Sequence, residues 1–514
     1  MRSGAEALVE ALERAGAEVV FGYPGANIVD VYERLQKAKF RFVLGRHEQG
    51  CTHMADGYAR ATGRPGVVVV TSGPGATNAI TGLATANVDG VPLVLISGQV
   101  PLSQIGTDAF QEADMTGICR AATKHSFLVK SADEIPETVA QAFYIATHGK
   151  PGAVVIDVPK NVQDELTAAQ YPERISLRAY HPERAATTAQ VNKFAKWLNE
   201  AKRPVLFAGG GVIAANAAKD VAALAKRANV PVATTLMGIG SFDETDPLSL
   251  GLAGMYGTHA ANEAIAAADL VIALGVRFND RVTGQDISRS VFKAKIVHVD
   301  CDPSSIDKNV TVDLGIVADI KDLLTTVNSR VKPSEHAEWL KRIAAWKKSE
   351  PVGSDPRACR LVESISRVTK GRAILVADVG NHQMACARHY SHALPRHFLT
   401  SGGMGTMGFA IPAAIGAAIA RPDEKVVAVV GDGGAQMTFE ELIVAVELKL
   451  PVTFVVVNNA ALGMVDTPIT SPDFVKLAQA YGAKGVRVGD PKMLDAAIAK
   501  AVKAKSPVLV EVRT

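Results

Sequence analysis

The strongest chemical signal in the sequence is Gly431-Asp432-Gly433-Gly434 at the end of an apolar run, followed by a helical period and a second apolar run that closes on Asn458-Asn459. Adjacent parallel strands place their carboxyl ends side by side, so the Asp432 carboxylate and the Asn459 amide oxygen can reach one hard cation. The glycines leave backbone N–H groups open to an anion, and a metal-bridged diphosphate fits the pattern. The plainer alternative is a turn aspartate with an unrelated Asn pair. Arg46-His47-Glu48-Gln49 stands where an extended run, Phe40 to Leu44, gives way to a helix. His53 comes too late to complete HExxH, which argues against zinc-protease chemistry. Glu48 then reads either as an acid–base group or as a favourable charge at a helix start. Two glycine patterns compete as nucleotide sites. Gly403-Met-Gly405-Thr-Met-Gly408 matches GxGxxG by letter, and Gly209-Gly210-Gly211-Val-Ile-Ala214 follows a strand in the GxGxxA form. An NAD fingerprint would want an acid after the next strand, which reads PVATTL, so a structural turn or another nucleotide is favoured. GxxxxGK[ST] is absent, which excludes a P-loop.

The elements that must position these residues are short Val/Ile/Leu runs alternating with Ala-rich helical periods, the pattern of parallel sheets covered on both faces. Three blocks separate, giving an expected α/β fold of three doubly wound parallel-sheet domains at 1–165, 186–332 and 355–514. The first carries strands at Val19 to Tyr23, Gly66 to Thr71, Pro92 to Ser97 and Ala153 to Val158. The second has Pro204 to Ala208, Asp269 to Leu274 and Lys295 to Asp300; the third has Ala373 to Ala377, Lys425 to Val430, Pro451 to Val457 and Pro507 to Val512. The charged stretch Pro333 to Arg357 reads as a connector with a short helix. Blocks one and three echo each other as strand, glycine turn, helix, proline, strand, which suggests duplication.

Composition narrows the class. A chain of 514 residues, 48% hydrophobic and 21% charged, is too long for one core and too apolar to be disordered. Its 55 basic and 52 acidic residues leave a net charge of +3 without charged blocks, so no nucleic-acid partner is expected. No apolar run spans a bilayer, so no membrane segment is expected. Met1 leads into an amphipathic stretch without an export or organelle signal. The five scattered cysteines form no framework, and a reducing, cytoplasmic compartment is expected.

Taken together, the motifs resemble the thiamine-diphosphate-dependent enzymes and, within them, the acetolactate synthase (acetohydroxyacid synthase) family. The likeness runs over nearly the whole chain. It is carried by FGYPGA (21–26), RHEQG (46–50), TSGPGATN (71–78), GTDAFQEAD (106–114), TLMGIGSF (235–242), GMYGT (254–258), GVRFNDRVTG (275–284), DVGNHQM (378–384), SGGMGTMGFAIPAAIGA (401–417), and GDG with NN. It implies a pyrimidine-binding domain, a central FAD-binding domain and a diphosphate-binding domain. It also implies a homodimer or homotetramer whose cofactor lies between the first domain of one subunit and the third of another, and it leaves room for a small regulatory subunit.

Carried over position by position, the resemblance gives Asp432, Asn459 and the Ala461 carbonyl to magnesium. Val379, Gly380, Asn381, His382, Gly431, Gly433 and Gly434 approach the diphosphate, Met407 with Gly405 bends the thiamine diphosphate, and Gly463, Met464 and Val465 follow in the same site. Pro24, Gly25 and Ala26 lie over the reacting carbon, and Glu48 bonds the far pyrimidine nitrogen, so that the cofactor's own amino group acts as an intramolecular base. Gln111, Phe110 and Lys160 line the substrate channel. Arg281, otherwise a solvated loop charge, receives the acceptor's carboxylate with Met255 beside it. The implied reaction decarboxylates pyruvate and joins the product to a second pyruvate or to 2-oxobutyrate. FAD falls to Lys150, Gly209, Gly210, Gly211, Thr235, Leu236, Met237, Tyr256, Gly257, Thr258, Gly275, Arg277, Asp300, Asp319, Gly402 and Gly403.

Four departures bear on specificity. Lys150 replaces the usual arginine and loses its planar fork, and Ala26 replaces a glycine. The family's long arginine- and tryptophan-containing loop after Gly463-Met464-Val465 is cut to DTPITS (466–471), with Pro468 at the tryptophan's position; the resemblance implies a further tail where this sequence stops at Thr514. With the same cofactor residues and a different acceptor site, the chain would be another 2-oxo acid decarboxylase, carboligase or pyruvate oxidase. A non-enzymatic nucleotide-binding protein would make Glu48 and Asp432 fortuitous.

Overall fold

The computed structural model describes residues 1–175, 177–284, 292–349 and 356–513. The domain limits 355 and 514 lie outside them. Three six-stranded sheets form, each flanked by helices. The first runs, edge to edge, Arg41–Leu44, Val19–Tyr23, Gly66–Val70, Leu93–Gln99, Ala153–Pro159 and His125–Leu128, all parallel. The third runs Phe398–Thr400, Ile374–Ala377, Val426–Gly431, Val452–Asn458, Val508–Arg513 and Lys484–Val488. Taken in chain order the two sheets have the same strand sequence, which bears out the duplication read from the motifs. The central sheet is ordered differently: Ser249–Leu252, Val232–Thr234, Pro204–Ala208, Leu270–Leu274, Lys295–Asp300 and Leu314–Val317.

The strands read from Val/Ile/Leu runs form with ends shifted by a residue or two, because their side chains are buried on both faces. The unread strands, among them Lys484–Val488, Leu314–Val317 and His125–Leu128, lie at sheet edges, where one side is open and the run needs fewer apolar residues. The connector helix is Ala337–Lys348; buried Trp339 donates its indole N–H to the Pro204 carbonyl and joins the central core.

The chain divides into two compact units, one of Met1–His181, Val376–Gly380 and Leu399–Arg513, the other of Pro182–Leu375 with Asn381–Phe398. Within the first unit, helix Glu48–Thr62 packs on Ala410–Ala420. Gly57 faces the Ala413 backbone and Gly416 the Met54 backbone, so side chains at either position would force the helices apart.

In all three sheets the strand order reverses next to a motif. The reversal falls between Val19–Tyr23 and Gly66–Val70, between Ile374–Ala377 and Val426–Gly431, and between Pro204–Ala208 and Leu270–Leu274. Ligands of open α/β sheets bind outside the strand ends at such points.

Candidate active site

At the first reversal point a Cβ on Gly25 would lie 2.5 Å from Thr71 Cβ, so only glycine lets the two strand ends meet there. Ala26 opens a short 3-10 turn, and Asn27 Nδ2 donates to Ser72 Oγ (2.7 Å). Glu48 is the first residue of its helix, capped by His47, whose Nδ1 accepts the Gln49 N–H (3.1 Å). Its carboxylate is only 8% exposed and accepts from Asn78 Nδ2 (3.0 Å). The other oxygen lies 3.2 Å from where a Cβ on Gly75 would stand, and a Cβ on Gly73 would lie 2.9 Å from the Gln111 carbonyl. Glu48, the Gly73–Gly75 turn and Gln111 are therefore neighbours. Gln111 has φ 62°, and Phe110 beside it is 86% exposed. The base of that loop is anchored by Gln99, which bonds Ala113 O (2.7 Å) and Asp157 (2.9 Å); Asp157 also takes the Ser97 hydroxyl (2.6 Å), and burial pushes its carboxyl up to about 7. Lys160 opens helix Lys160–Asp164 and is ion-paired with Asp30. Lys150 O accepts from Lys124 Nζ (2.7 Å).

Beside the reversal point of the third sheet, strands Val426–Gly431 and Val452–Asn458 are adjacent and parallel, with Gly431 opposite Val457, which sets Asp432 and Asn459 at neighbouring strand ends. The Asn pair splits its work: Asn458 is buried and donates to Glu511 (2.8 Å), whereas Asn459 is exposed and its Oδ1 accepts the Ala461 N–H (3.2 Å). Asp432 is 1% exposed. Among the described residues its carboxylate takes one hydrogen bond, from Ser471 Oγ to Oδ2 (2.6 Å), which leaves Oδ1 uncommitted. A Cβ on Gly433 would lie 2.5 Å from Leu462 Cδ2 and 3.3 Å from Met407 Cε; one on Gly434 would lie 2.7 Å from Asp378 Oδ1. Gly463, Met464 and Val465 form the exposed turn of a hairpin in which Ala461–Leu462 pairs with Thr467–Pro468. Ile469 donates to the Ala460 carbonyl (2.9 Å), so Ala461 faces Pro468 at a non-hydrogen-bonded position and the ladder does not use its carbonyl. Among the described residues no cluster of three or more His, Cys, Asp or Glu could hold a metal. A cation at Asp432 would rest on one carboxylate, an amide and a carbonyl, a hard-oxygen set that suits magnesium with ligand oxygens completing the shell.

Several residues that the sequence reading passed over hold these groups in place. Asp378, fully buried, accepts the N–H groups of Val379 (2.9 Å), Gly408 (3.0 Å) and Ala410 (2.8 Å), the latter two just after Met407; burial raises its carboxyl to about 6 against those bonds. Gly380 has φ 154°, and Asn381 and His382 open the next helix. Asp89 accepts the N–H groups of Gly402 (3.0 Å) and Gly403 (2.7 Å) and pairs with Arg60, so those two amides are already donated within the chain. Gly405 has φ 68°. Glu441 reaches from the third domain to the turn before Glu48. It accepts the N–H groups of Arg46 (3.1 Å) and His47 (2.9 Å), and burial pushes its carboxyl up to about 8. Asp378 and Asn78 lie inside the quoted motifs; nothing in the local pattern marks Glu441 or Ser471.

In the central domain, a Cβ on Gly211 would lie 2.6 Å from Gly275 Cα, and Gly275 has φ 61°, a conformation and a close approach that only glycine suits. The N–H groups of Gly209 and Gly211 go to Leu274 O and Gly275 O (2.9 and 3.2 Å). Among the described residues no protein acceptor takes the Gly210 N–H at the strand-to-helix turn. A Cβ on Gly210 would lie 3.1 Å from Met237 Cβ, in the turn Leu236–Gly238 that Thr235 caps. Arg277 follows Gly275, and Tyr256 and Gly257 lead to Thr258, the cap of helix His259–Ala267. Asp300 ends its strand and accepts the Asp302 N–H (2.8 Å); Asp319 caps helix Ile320–Asn328. Arg281 Nη1 stands 3.3 Å from Met255 Sδ, so these two residues are brought together.

Three family models match in order: "Thiamine pyrophosphate enzyme, N-terminal TPP binding domain" over 2–118, "central domain" over 191–327 and "C-terminal TPP binding domain" over 378–512. Thiamine pyrophosphate is thiamine diphosphate. The chain is 44% identical to "Acetolactate synthase large subunit" of Haemophilus influenzae, over 98% of this chain and 93% of that one. The chain belongs to the acetolactate synthase family. It is also 42% identical to "Acetolactate synthase isozyme 3 large subunit" of Escherichia coli (98% and 92% covered) and to "Acetolactate synthase catalytic subunit, mitochondrial" of Saccharomyces cerevisiae (99% and 80%). Membership makes it a thiamine-diphosphate enzyme with its motifs at sheet reversal points. Among the described residues no helix is long and apolar enough to cross a membrane.

Proposed function

We propose that this chain is the catalytic subunit of an acetolactate synthase, decarboxylating pyruvate and joining the two-carbon product to a second 2-oxo acid. The products are 2-acetolactate or, from 2-oxobutyrate, 2-aceto-2-hydroxybutyrate, in the first common step of branched-chain amino acid biosynthesis. The observation that carries this reading is the buried Glu48 carboxylate, held by Asn78 at the first reversal point, in a chain whose three domains all match thiamine pyrophosphate enzymes. Bound thiamine diphosphate supplies a carbon nucleophile and an electron sink for the loss of carbon dioxide. Glu48 holds a proton at the pyrimidine nitrogen. Asp432 Oδ1, Asn459 and the Ala461 carbonyl would hold Mg2+, which would supply positive charge to a diphosphate held at Gly433 and Gly434. Arg281, seated on Met255, would receive the acceptor's carboxylate. Gln111, Phe110 and Lys160 would line the substrate channel, with Lys160 ion-paired to Asp30 in the free protein.

FAD belongs to the central domain at Gly209–Gly211, with the unclaimed Gly210 amide as a phosphate donor. The reaction moves no net electrons, so the flavin is structural. The domains extend near 1–165, 186–332 and 355–514. The active unit is a homodimer or homotetramer, and the "large subunit" names of the relatives favour a small regulatory partner. All five cysteines are free thiols, which suits the cytoplasm. The test incubates purified protein with pyruvate, thiamine diphosphate, Mg2+ and FAD and identifies the products. Acetolactate supports the reading; acetaldehyde alone, or strictly oxygen-dependent turnover, replaces it with a decarboxylase or an oxidase.

A further inference from the structure

The shortened segment after Val465 is a built element. Residues 461–468 fold as an antiparallel hairpin turning at Gly463–Asp466, where Asp466 has φ 48°, and the Ile469 N–H to Ala460 O bond (2.9 Å) carries the returning chain back along the end of strand Val452–Asn458. Two residues later Ser471 Oγ donates to Asp432 Oδ2 (2.6 Å). The far side is held as well. Asp473 caps helix Phe474–Ala480 through the Lys476 N–H (3.1 Å) and pairs with Arg487 (2.6 Å). Ser471 is thus fixed between a hairpin and a helix start, and its only hydrogen goes to a carboxylate that is 1% exposed.

We infer that Ser471 is a positioning residue of the cation site: its hydroxyl ties down Oδ2 of Asp432 and so aims Oδ1 at the position shared with Asn459. This rests on the reading that Asp432 and Asn459 hold the divalent cation of the diphosphate. A short hydrogen bond to an ionised oxygen is among the strong ones. An Asp432 carboxylate without it would lose the one hydrogen bond that fixes its rotation and be less well prepared for a small cation that demands near-octahedral geometry. The shortened loop, in exchange for the family's longer one, brings a side chain directly onto the metal-binding carboxylate.

The test is calorimetric titration of thiamine diphosphate into the metal-stripped full chain at graded Mg2+, for the wild type, Ser471→Ala, Ser471→Thr and Asp432→Asn, with thermal melts of each metal-free protein to show equal folding. Expected is an apparent Mg2+ affinity weaker by about ten- to a hundred-fold in Ser471→Ala, the worth of one hydrogen bond to a charged group. The Thr variant, which keeps the hydroxyl, should recover most of it. Equal or tighter Mg2+ binding in Ser471→Ala overturns the role of Ser471; if Asp432→Asn still abolishes Mg2+-dependent binding, the cation site itself stands. Wild-type cofactor binding that ignores Mg2+, or that Asp432→Asn leaves intact, overturns both.

Discussion

Glu48 and Glu441 are both buried, and each has a different use for its carboxyl group. Among the described residues the Glu48 carboxylate accepts one hydrogen bond, from the Asn78 amide, and keeps capacity for a ligand nitrogen. Its replacement by glutamine should leave cofactor affinity largely intact and lower kcat by roughly a hundred- to ten-thousand-fold, the usual worth of positioned proton transfer. NMR exchange of the cofactor's C2 proton checks this, and wild-type exchange in Glu48→Gln would refute the assignment. Glu441 is spent on the backbone N–H groups of Arg46 and His47. Glu441→Ala leaves both amides without an acceptor, at about 1–3 kcal/mol each, whereas Glu441→Gln keeps an acceptor oxygen and should be milder. Burial raises the Glu441 carboxyl from 4.5 to about 8, so the fold holds its proton more tightly than the unfolded chain does. That contribution is complete below pH ~4.5 and is lost as pH rises through about 8. Between those values, urea denaturation should show stability falling with pH, with a slope that Glu441→Gln reduces by up to about 1.4 kcal/mol per pH unit. An unchanged slope would mean that Glu441 ionises normally in the fold.

At the scale of elements, the proposed acceptor site is bordered by the hairpin, which would then set what it can discriminate. Pro468 and Thr467 are exposed in its second strand, and no aromatic ring stands where the family's loop supplies a tryptophan. One methylene is worth about 1–3 kcal/mol even in a well-made pocket, so losing that wall can erase most of the preference for 2-oxobutyrate over pyruvate. A more open site also admits water and diverts part of the flux to acetaldehyde. Competition between the two acceptors, with both hydroxyacids and acetaldehyde measured, should give a weak preference and detectable acetaldehyde. A strong 2-oxobutyrate preference without acetaldehyde would mean that Leu462, Ile469 or other residues have rebuilt the wall.

At the scale of the whole molecule, the hydrogen bonds of Glu48 stay in the first domain and those of Asp432 in the third. If the cofactor bridges two subunits, Glu48→Gln and Asp432→Ala each disable every site of a homodimer. A mixed dimer would gather both lesions in one site and leave the other intact. Co-expression of the two variants should therefore restore about a quarter of wild-type activity on random pairing. No recovery, despite mixed dimers shown by mass spectrometry, would place each site within one chain.

What the sequence determined by itself is local and chemical. Runs such as Val426 to Val430 mark buried strands because β-branched residues suit strands covered on both faces, and GDG followed by NN supplies the residue types that the proposed cation and diphosphate site requires. The echo between the first and third blocks suggested duplicated α/β units, and the two sheets share one strand order. The partners across long separations were not legible. Glu441 meets Arg46 from 395 positions away, and Ser471 meets Asp432 from 39. Periodicity and spacing record which face a side chain presents, whereas its partner is chosen by how helices and loops pack. The glycine contacts at Gly57 and Gly416 set how closely Glu48–Thr62 lies against Ala410–Ala420, and hence which carboxylates reach the turn before Glu48. That choice belongs to the tertiary structure, because it is made by close packing between segments that share no local pattern.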